Sequence, residues 1–374
     1  SPLYVNHVVL KMNPSADPAL LQTAWQNTSD QTEILRTVFV PLPSEIVQVV
    51  LEPNRSVDWA ERQYDGLEEA MAEFQIRQDV ISQDIISNIA SIPPLRILHA
   101  VTTGSKKPLA LFISIHHSLY DDASFGMLLQ DFAAQYLADA TPPKRGSPDA
   151  FIRHVCSQSM EKSESHWRQA LSDCRPTIFE KLAIDSAQLS HSTTLSSSLS
   201  ELEGCAARLQ STVSSLMQAV FALALADAVG TSNVTYGLVL SGRVLPIAGA
   251  DSVLLPCIAT IPGRLDTEHL STVEDVIHHI HKATAESLEY QHTSLRYIQR
   301  WVKSEGSIFD CLFSFIKSAE DQGHDLWEEA QSSMPSEYPL AVEVEADAKN
   351  DCVRITCGFT SAFGHPDYAR DFVI

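Results

Sequence analysis

The residues best able to do chemistry sit together in Ile113-Ser-Ile-His-His-Ser-Leu-Tyr-Asp-Asp-Ala-Ser124, two adjacent histidines followed by two carboxylates. A histidine near its ordinary pKa of about 6.5 can take or give a proton at neutral pH. Adjacent residues at a strand end point to opposite sides, so only one of His116 and His117 can face a given cavity. The other is then structural, bonded to backbone or a neighbour. Asp121, four residues past His117, falls where a loop turns into a helix. It can cap that helix or pair with an arginine that holds the turn rigid. From these residues alone, structure and catalysis both stay open.

Other chemistries find less support. His278, His279 and His281 share one helix, but no Cys, Asp or further His is spaced to complete a metal site, and HExxH is absent. A solvated helix face is expected there, and no metal. Nucleophile elbow (GxSxG), P-loop and GxGxxG patterns are all missing, which argues against serine hydrolases, phosphoryl transfer and dinucleotide binding.

The elements that must position the pair read as follows. Leu109–Ile115 is apolar on both faces and suits a central strand that delivers His116 and His117. After them Phe125, Leu128, Leu129, Phe132 and Tyr136 mark one face of a helix. Upstream, Asp17-Pro18 starts a helix with a stripe of Leu20, Leu21, Ala24 and Trp25. Glu33–Val40 reads as a strand and Ile46–Leu51 as its hairpin partner, with helix from about Leu67 to Ile86. Leu95–Val101 pairs across a turn with the central strand. One helix is expected from about Phe151 to Leu171, then a linker or solvated strand over Ser190–Ser200.

Val213–Val229 reads as a deeply buried helix, Val234–Arg243 as a strand ending in a polar tip, and Leu254–Pro262 as extended. Helices follow over Val273–Tyr290 and Leu295–Val302, then a buried strand over Ile308–Ile316. Pro339–Glu345 and Val353–Phe359 alternate like an antiparallel pair. Cys352 and Cys357 would face opposite sides of theirs, so no local disulfide is expected.

The chain has 374 residues, 44% hydrophobic, which is more than one ordinary core and favours two domains. A net charge of -21 argues against nucleic acid and anionic membranes. Seven scattered cysteines without CxxC suggest free thiols in a reducing, cytoplasmic setting. No signal peptide or apolar run of about 18 residues is seen. Because Ser1 is not Met, the chain reads as processed, excised from something longer, or lacking its first residues.

His116-His-Ser-Leu-Tyr-Asp-Asp122 resembles the HHxxxDG signature of nonribosomal peptide synthetase condensation domains, within the chloramphenicol-acetyltransferase-like superfamily. Companions occur in the right order. Glu33–Phe39 looks like ExLRTxF, Tyr236–Arg243 like FGxVxSGR, and Pro256–Arg264 like GPxxNTxPxR. Gln291–Gln299 and Phe309–Phe315 also have counterparts, with wording closest to fungal and siderophore-making synthetases. The resemblance covers nearly the whole chain.

It implies an α/β (α+β) fold of two acyltransferase-like lobes, each a mixed sheet with flanking helices, over residues 1–175 and 176–374, set in a V around a tunnel. Phosphopantetheine arms of upstream and downstream peptidyl carrier proteins would enter the tunnel, with an adenylation domain in the same synthetase and no permanently bound cofactor. The isolated domain would be monomeric. His117 would accept a proton from the acceptor amine, or hold that amine, as it attacks the donor thioester. His116 and Asp121 would support the site. Arg243 is the candidate partner for Asp121, with Arg96 as the local alternative. Ser241, Gly242 and Thr260 would line the tunnel.

Two positions depart from the family pattern. Asp122 stands where the family has Gly; it either adds bulk and negative charge beside His117 or points away and caps the helix with Asp121. Ala259 stands where the family often has Asn, and Leu255 also replaces a common glycine. The leading expectation is an amide-forming condensation domain. A terminal macrocyclising relative is a close variant, although retention of His116 points to an internal domain. The alternative is a catalytically silent platform for carrier proteins. A free-standing coenzyme A acyltransferase is opposed by the lack of a DFGWG-like motif.

Overall fold

In this computed structural model the described residues are 2–137, 143–179, 189–318, 325–333 and 338–360, with backbone alone for 329–333. The chain runs β1 (Val5–Met12), α1 (Pro18–Gln31), β2 (Thr37–Pro41), β3 (Ile46–Val50), β4 (Trp59–Tyr64), α2 (Leu67–Ser87), β5 (Leu95–Thr102), β6 (Pro108–His116) and α3 (Asp122–Leu137). It continues with α4 (Pro148–Cys156), α5 (Met160–Ala170), β7 (Leu189–Thr194), α6 (Leu199–Arg208), α7 (Val213–Val229), β8 (Asn233–Leu240) and β9 (Ala259–Asp266). The last elements are α8 (Val273–Ser287), α9 (Leu295–Trp301), β10 (Cys311–Lys317), β11 (Trp327–Ser333), β12 (Leu340–Asp347) and β13 (Cys352–Phe359).

Two compact units result. The first comprises Ser1–Phe151, Pro246–Cys257 and Gln322–Pro335; the second comprises Ile152–Leu245, Ile258–Asp321 and Ser336–Ile374. The first holds a five-stranded sheet in the order β11-β1-β6-β5-β4, with β2 and β3 as a separate hairpin. The apolar run of β6 is explained by its central place, where both faces are covered. On one side Ile113 and Ile115 join Trp25, Leu128 and Phe132 from α1 and α3; on the other Phe112 joins Phe74 of α2. The second unit holds a mixed six-stranded sheet, β7-β13-β12-β10-β8-β9, in which β10 runs parallel to both β8 and β12. The alternation of Leu340–Asp347 and Cys352–Phe359 resolves as the expected antiparallel pair. All seven cysteines are free thiols.

Some elements differ from the sequence expectation for identifiable reasons. Glu33–Arg36 is a 3-10 turn, and the strand begins only at Thr37. The turn is fixed locally, with Thr37 Oγ1 donating to Glu33 O and the Arg36 guanidinium to Ser29 O. The single helix expected over 151–171 is two, because Ser159 leaves the helix and caps α5 through Lys162 N–H. Ser190–Ser200 divides into the edge strand β7 and a capping box at Ser198 that opens α6. Leu20 of α1 and Val220 of α7 turn outward, so burial holds for one face of each helix.

Candidate active site

Strand β6 ends at His116, and two neighbours grip the end. His116 N–H donates to Pro94 O at 3.0 Å, and His117 N–H donates to Tyr4 O at 2.8 Å. The two peptides therefore face opposite sides, as the strand alternation requires. The His116 ring turns back on its own loop. Its Nδ1 accepts Ser118 N–H at 3.1 Å and lies 2.9 Å from Ser118 Oγ. An Nδ1 that accepts leaves the proton of the neutral ring on Nε2.

His117 is different. It is half-buried, and among the described residues neither ring nitrogen has a hydrogen-bond partner. Its ring stacks on Tyr120, with centroids 4.8 Å apart and planes at 19°. Burial pushes the Tyr120 phenol up to about 12; the Asn6 side chain works against that rise and Asp122 adds to it. The platform under His117 is thus uncharged at neutral pH. Packing fixes the imidazole while its nitrogens stay uncommitted, the state a group needs to exchange a proton with a substrate.

Asp121 is buried and organises the turn. Its Oδ1 accepts Ser124 N–H at 2.8 Å, and its own N–H donates to Ser124 Oγ at 2.8 Å, a reciprocal cap on α3. Its Oδ2 accepts Cys257 N–H at 2.7 Å, 136 positions along the chain but in the same unit. Ser124, three residues after Asp121, was a readable sign of this cap. Cys257 was not, since no local pattern marks a backbone donor so far away. Arg96, the local alternative for Asp121, instead meets Asp58 at 2.6 Å and Asp84 at 3.3 Å. Asp122 is exposed at the first position of α3, where a carboxylate suits the helix dipole.

The remaining expected residues lie in the second unit. Past β8, Ser241 is exposed and Gly242 takes a φ of 68°, a conformation that favours glycine. Arg243 is buried. Two side chains outside the expected set hold this tip. Gln291 Nε2 donates to Val244 O at 3.1 Å, and His292 Nε2 lies 2.9 Å from Gly242 O. Burial lowers the His292 pKa, so the ring is neutral and donates through Nε2. Their adjacency in Gln291–Gln299 was visible in sequence, but not their target. Ala259 is buried and opens β9 opposite Leu240, and Thr260 pairs with Val239.

Among the described residues no group of three or more His, Cys, Asp or Glu is gathered to hold a metal. His278 Nε2 sits 2.7 Å from Leu209 O and His281 Nδ1 sits 3.0 Å from Ser215 Oγ, so both tie α8 to its neighbours. Among the same residues no single helix is long and apolar enough to cross a membrane.

Comparison with known proteins adds the following. A family model described as "Condensation domain" matches residues 1–365. The nonribosomal peptide synthetase sidC of Aspergillus fumigatus is 52% identical over 375 residues, covering 99% of this chain and 8% of that protein. The nonribosomal peptide synthetase fso1 of Omphalotus olearius is 32% identical over 97% of the chain and 8% of its own length. The ferrichrome siderophore peptide synthetase of Mycosarcoma maydis is 30% identical over 94% of the chain and 9% of its own. The chain thus spans less than a tenth of these relatives.

Among solved structures, the condensation domain of the monacolin K polyketide synthase MokA superposes with a TM-score of 0.77 at 14% identity, covering 100% of this chain and 90% of that one. A starter condensation domain of rhizomide synthetase RzmA gives 0.76 at 18% identity, covering 100% and 88%. At such identities these two show the fold, an α/β fold of two mixed sheets with helices.

Proposed function

The chain belongs to the condensation-domain family, and on that premise we propose that it joins an acceptor amine to an acyl or peptidyl thioester, with His117 acting on the amine. The amine nitrogen attacks the thioester carbonyl, the carbon–nitrogen bond forms and the carbon–sulfur bond breaks. His117 takes the proton that the amine loses, or holds the amine in line, and the departing sulfur ends as a thiol. The observation that carries this reading is the His117 ring itself, seated on Tyr120 with both nitrogens uncommitted.

His116, Asp121 and Arg243 are assigned to support of the site, and Ser241, Gly242 and Thr260 to the wall along which substrate lies. The substrates arrive on phosphopantetheine arms of carrier proteins, so the domain needs no cofactor of its own. A relative's name points to a siderophore-type peptide; the same reading places the synthesis in the cytoplasm and an adenylation domain in the same synthetase. Retention of His116 fits an internal domain over a terminal, macrocyclising one.

A second reading, a silent carrier-protein platform, draws on Ala259, which offers no side-chain donor, and on Asp122. The exposed place of Asp122 at the start of α3 weighs against it. The test loads donor and acceptor carrier proteins and follows the condensed thioester by mass spectrometry. Product from wild type supports the catalyst. Carrier binding without product supports the platform. Asp122→Gly is expected to change the yield by no more than about threefold, since an exposed first-turn carboxylate contributes only a fraction of a kcal/mol.

A further inference from the structure

A cavity of about 280 Å³ in the first unit is lined by Arg36 and Arg55, with Leu35, Leu51, Val57, Ile92, Pro93 and Leu95 among its apolar walls. His117 is not among its lining residues. The Arg36 of the ExLRTxF-like segment, which the proposed reaction does not use, is one of its walls.

Two observations bear on what it would bind. Arg36 is held in place by carbonyl oxygens, with Nε donating to Ser29 O at 3.2 Å and Nη1 donating to Leu51 O. Carbonyls fix a guanidinium but do not neutralise it. Among the described residues neither Arg36 nor Arg55 has a carboxylate partner. The one acid on the lining, Asp58, is already paired with Arg96 at 2.6 Å. In a chain of net charge -21, two uncompensated arginines on one cavity are a local reversal of sign.

We propose that this cavity binds a small organic oxyanion, a carboxylate or phosphate monoester carrying a short apolar chain. Arg36 and Arg55 meet the oxyanion, since a guanidinium fork matches both geometries. The apolar chain lies against Val57, Ile92 and Leu95. The volume is just below the range of about 300–1,000 Å³ typical of ligand clefts, which suits a small molecule or the end of a longer one. Pro93 and Leu95 of the wall flank Pro94 in the chain, and the Pro94 carbonyl accepts the His116 N–H, so one residue links the cavity wall to the strand end of the proposed catalytic motif. The proposal does not rest on the condensation reaction.

The test is calorimetric titration of the whole chain with hexanoate, monobutyl phosphate, inorganic phosphate and neutral hexanamide. Saturable one-to-one binding of hexanoate or monobutyl phosphate is expected, and the tighter of the two identifies the oxyanion. Hexanamide should bind at least about tenfold more weakly, because a charge-assisted pair is lost. Arg55 is exposed, so Arg55→Glu should fold normally and weaken the anions by at least about tenfold, while Arg55→Lys retains part of the affinity. Ile92→Ser should weaken hexanoate or monobutyl phosphate but not inorganic phosphate. The proposal is overturned if neither organic anion saturates, or if Arg55→Glu binds them as well as wild type does.

Discussion

His7 shows how a single side chain near the site is tuned. Its Nδ1 lies 2.9 Å from Ser114 Oγ on β6 and its Nε2 lies 3.0 Å from Ser82 Oγ on α2. Burial lowers its pKa to about 4, and Asp79 opposes that only partly. The folded protein therefore resists protonating it, whereas the unfolded chain does so near pH 6.5. Above that pH both states are neutral and nothing is lost. As pH falls from about 6.5 to about 4 the unfolded state alone gains the proton, so stability declines by roughly 3 kcal/mol and then levels. Urea unfolding of wild type and His7→Gln across that range should show a shallower pH slope for the variant, even though other buried histidines contribute their own.

Asp121 makes a complementary prediction, since it caps α3 and accepts the buried Cys257 N–H. Asp121→Ala should cost about 2–4 kcal/mol, the sum of a lost cap and an orphaned donor. Equal denaturation midpoints would contradict this. At this scale the sequence exposed the His117 and Asp121 spacing and the cap as one of two roles open to Asp121. It could not expose Cys257, nor the stacking of His117 on Tyr120, because both depend on how the loop closes.

The elements around the site hold one another through close backbone approaches. Residues 143–147 lie on the returning segment Pro246–Cys257, with Gly146 N–H donating to Ser252 O at 3.2 Å. Arg145 anchors them to α3 through Asp131 at 2.6 Å. A Cβ on Gly146 would overlap the carbonyl oxygen of Gly249 and crowd Val253. Gly146→Ala should thus push the two segments apart and destabilise by about 1–3 kcal/mol. It should also loosen Cys257 against Asp121. A thermal melt coincident with wild type would count against this arrangement.

Hydrophobic period made most of these elements legible, β6 and α3 above all. It failed where side chains bond the backbone, as at Glu33–Arg36 and Ser159, because such bonds outweigh a continuous apolar pattern. It also missed β11, which among the described residues pairs with β1 alone, so the pairing joins residues such as Lys11 and Glu328 that are distant in sequence.

Across the whole molecule, the order of companion motifs pointed to two mixed sheets with helices, and that fold is what the structure has. Linear order is less informative about how segments are shared, since Pro246–Cys257 and the β11 segment both belong with the first 151 residues. The acidic balance of the chain set aside nucleic acid from the start but said nothing of the arginine-lined cavity, which exists only once residues 29–95 are folded. The proposed reaction then rests on one imidazole. The direct measurement is the single-turnover rate of condensed thioester formation by His117→Ala, with donor and acceptor carrier proteins saturating and their binding shown to be unchanged. A fall of about 10²–10⁴ is predicted, the usual contribution of a positioned acid or base; a rate within about threefold of wild type would contradict the account.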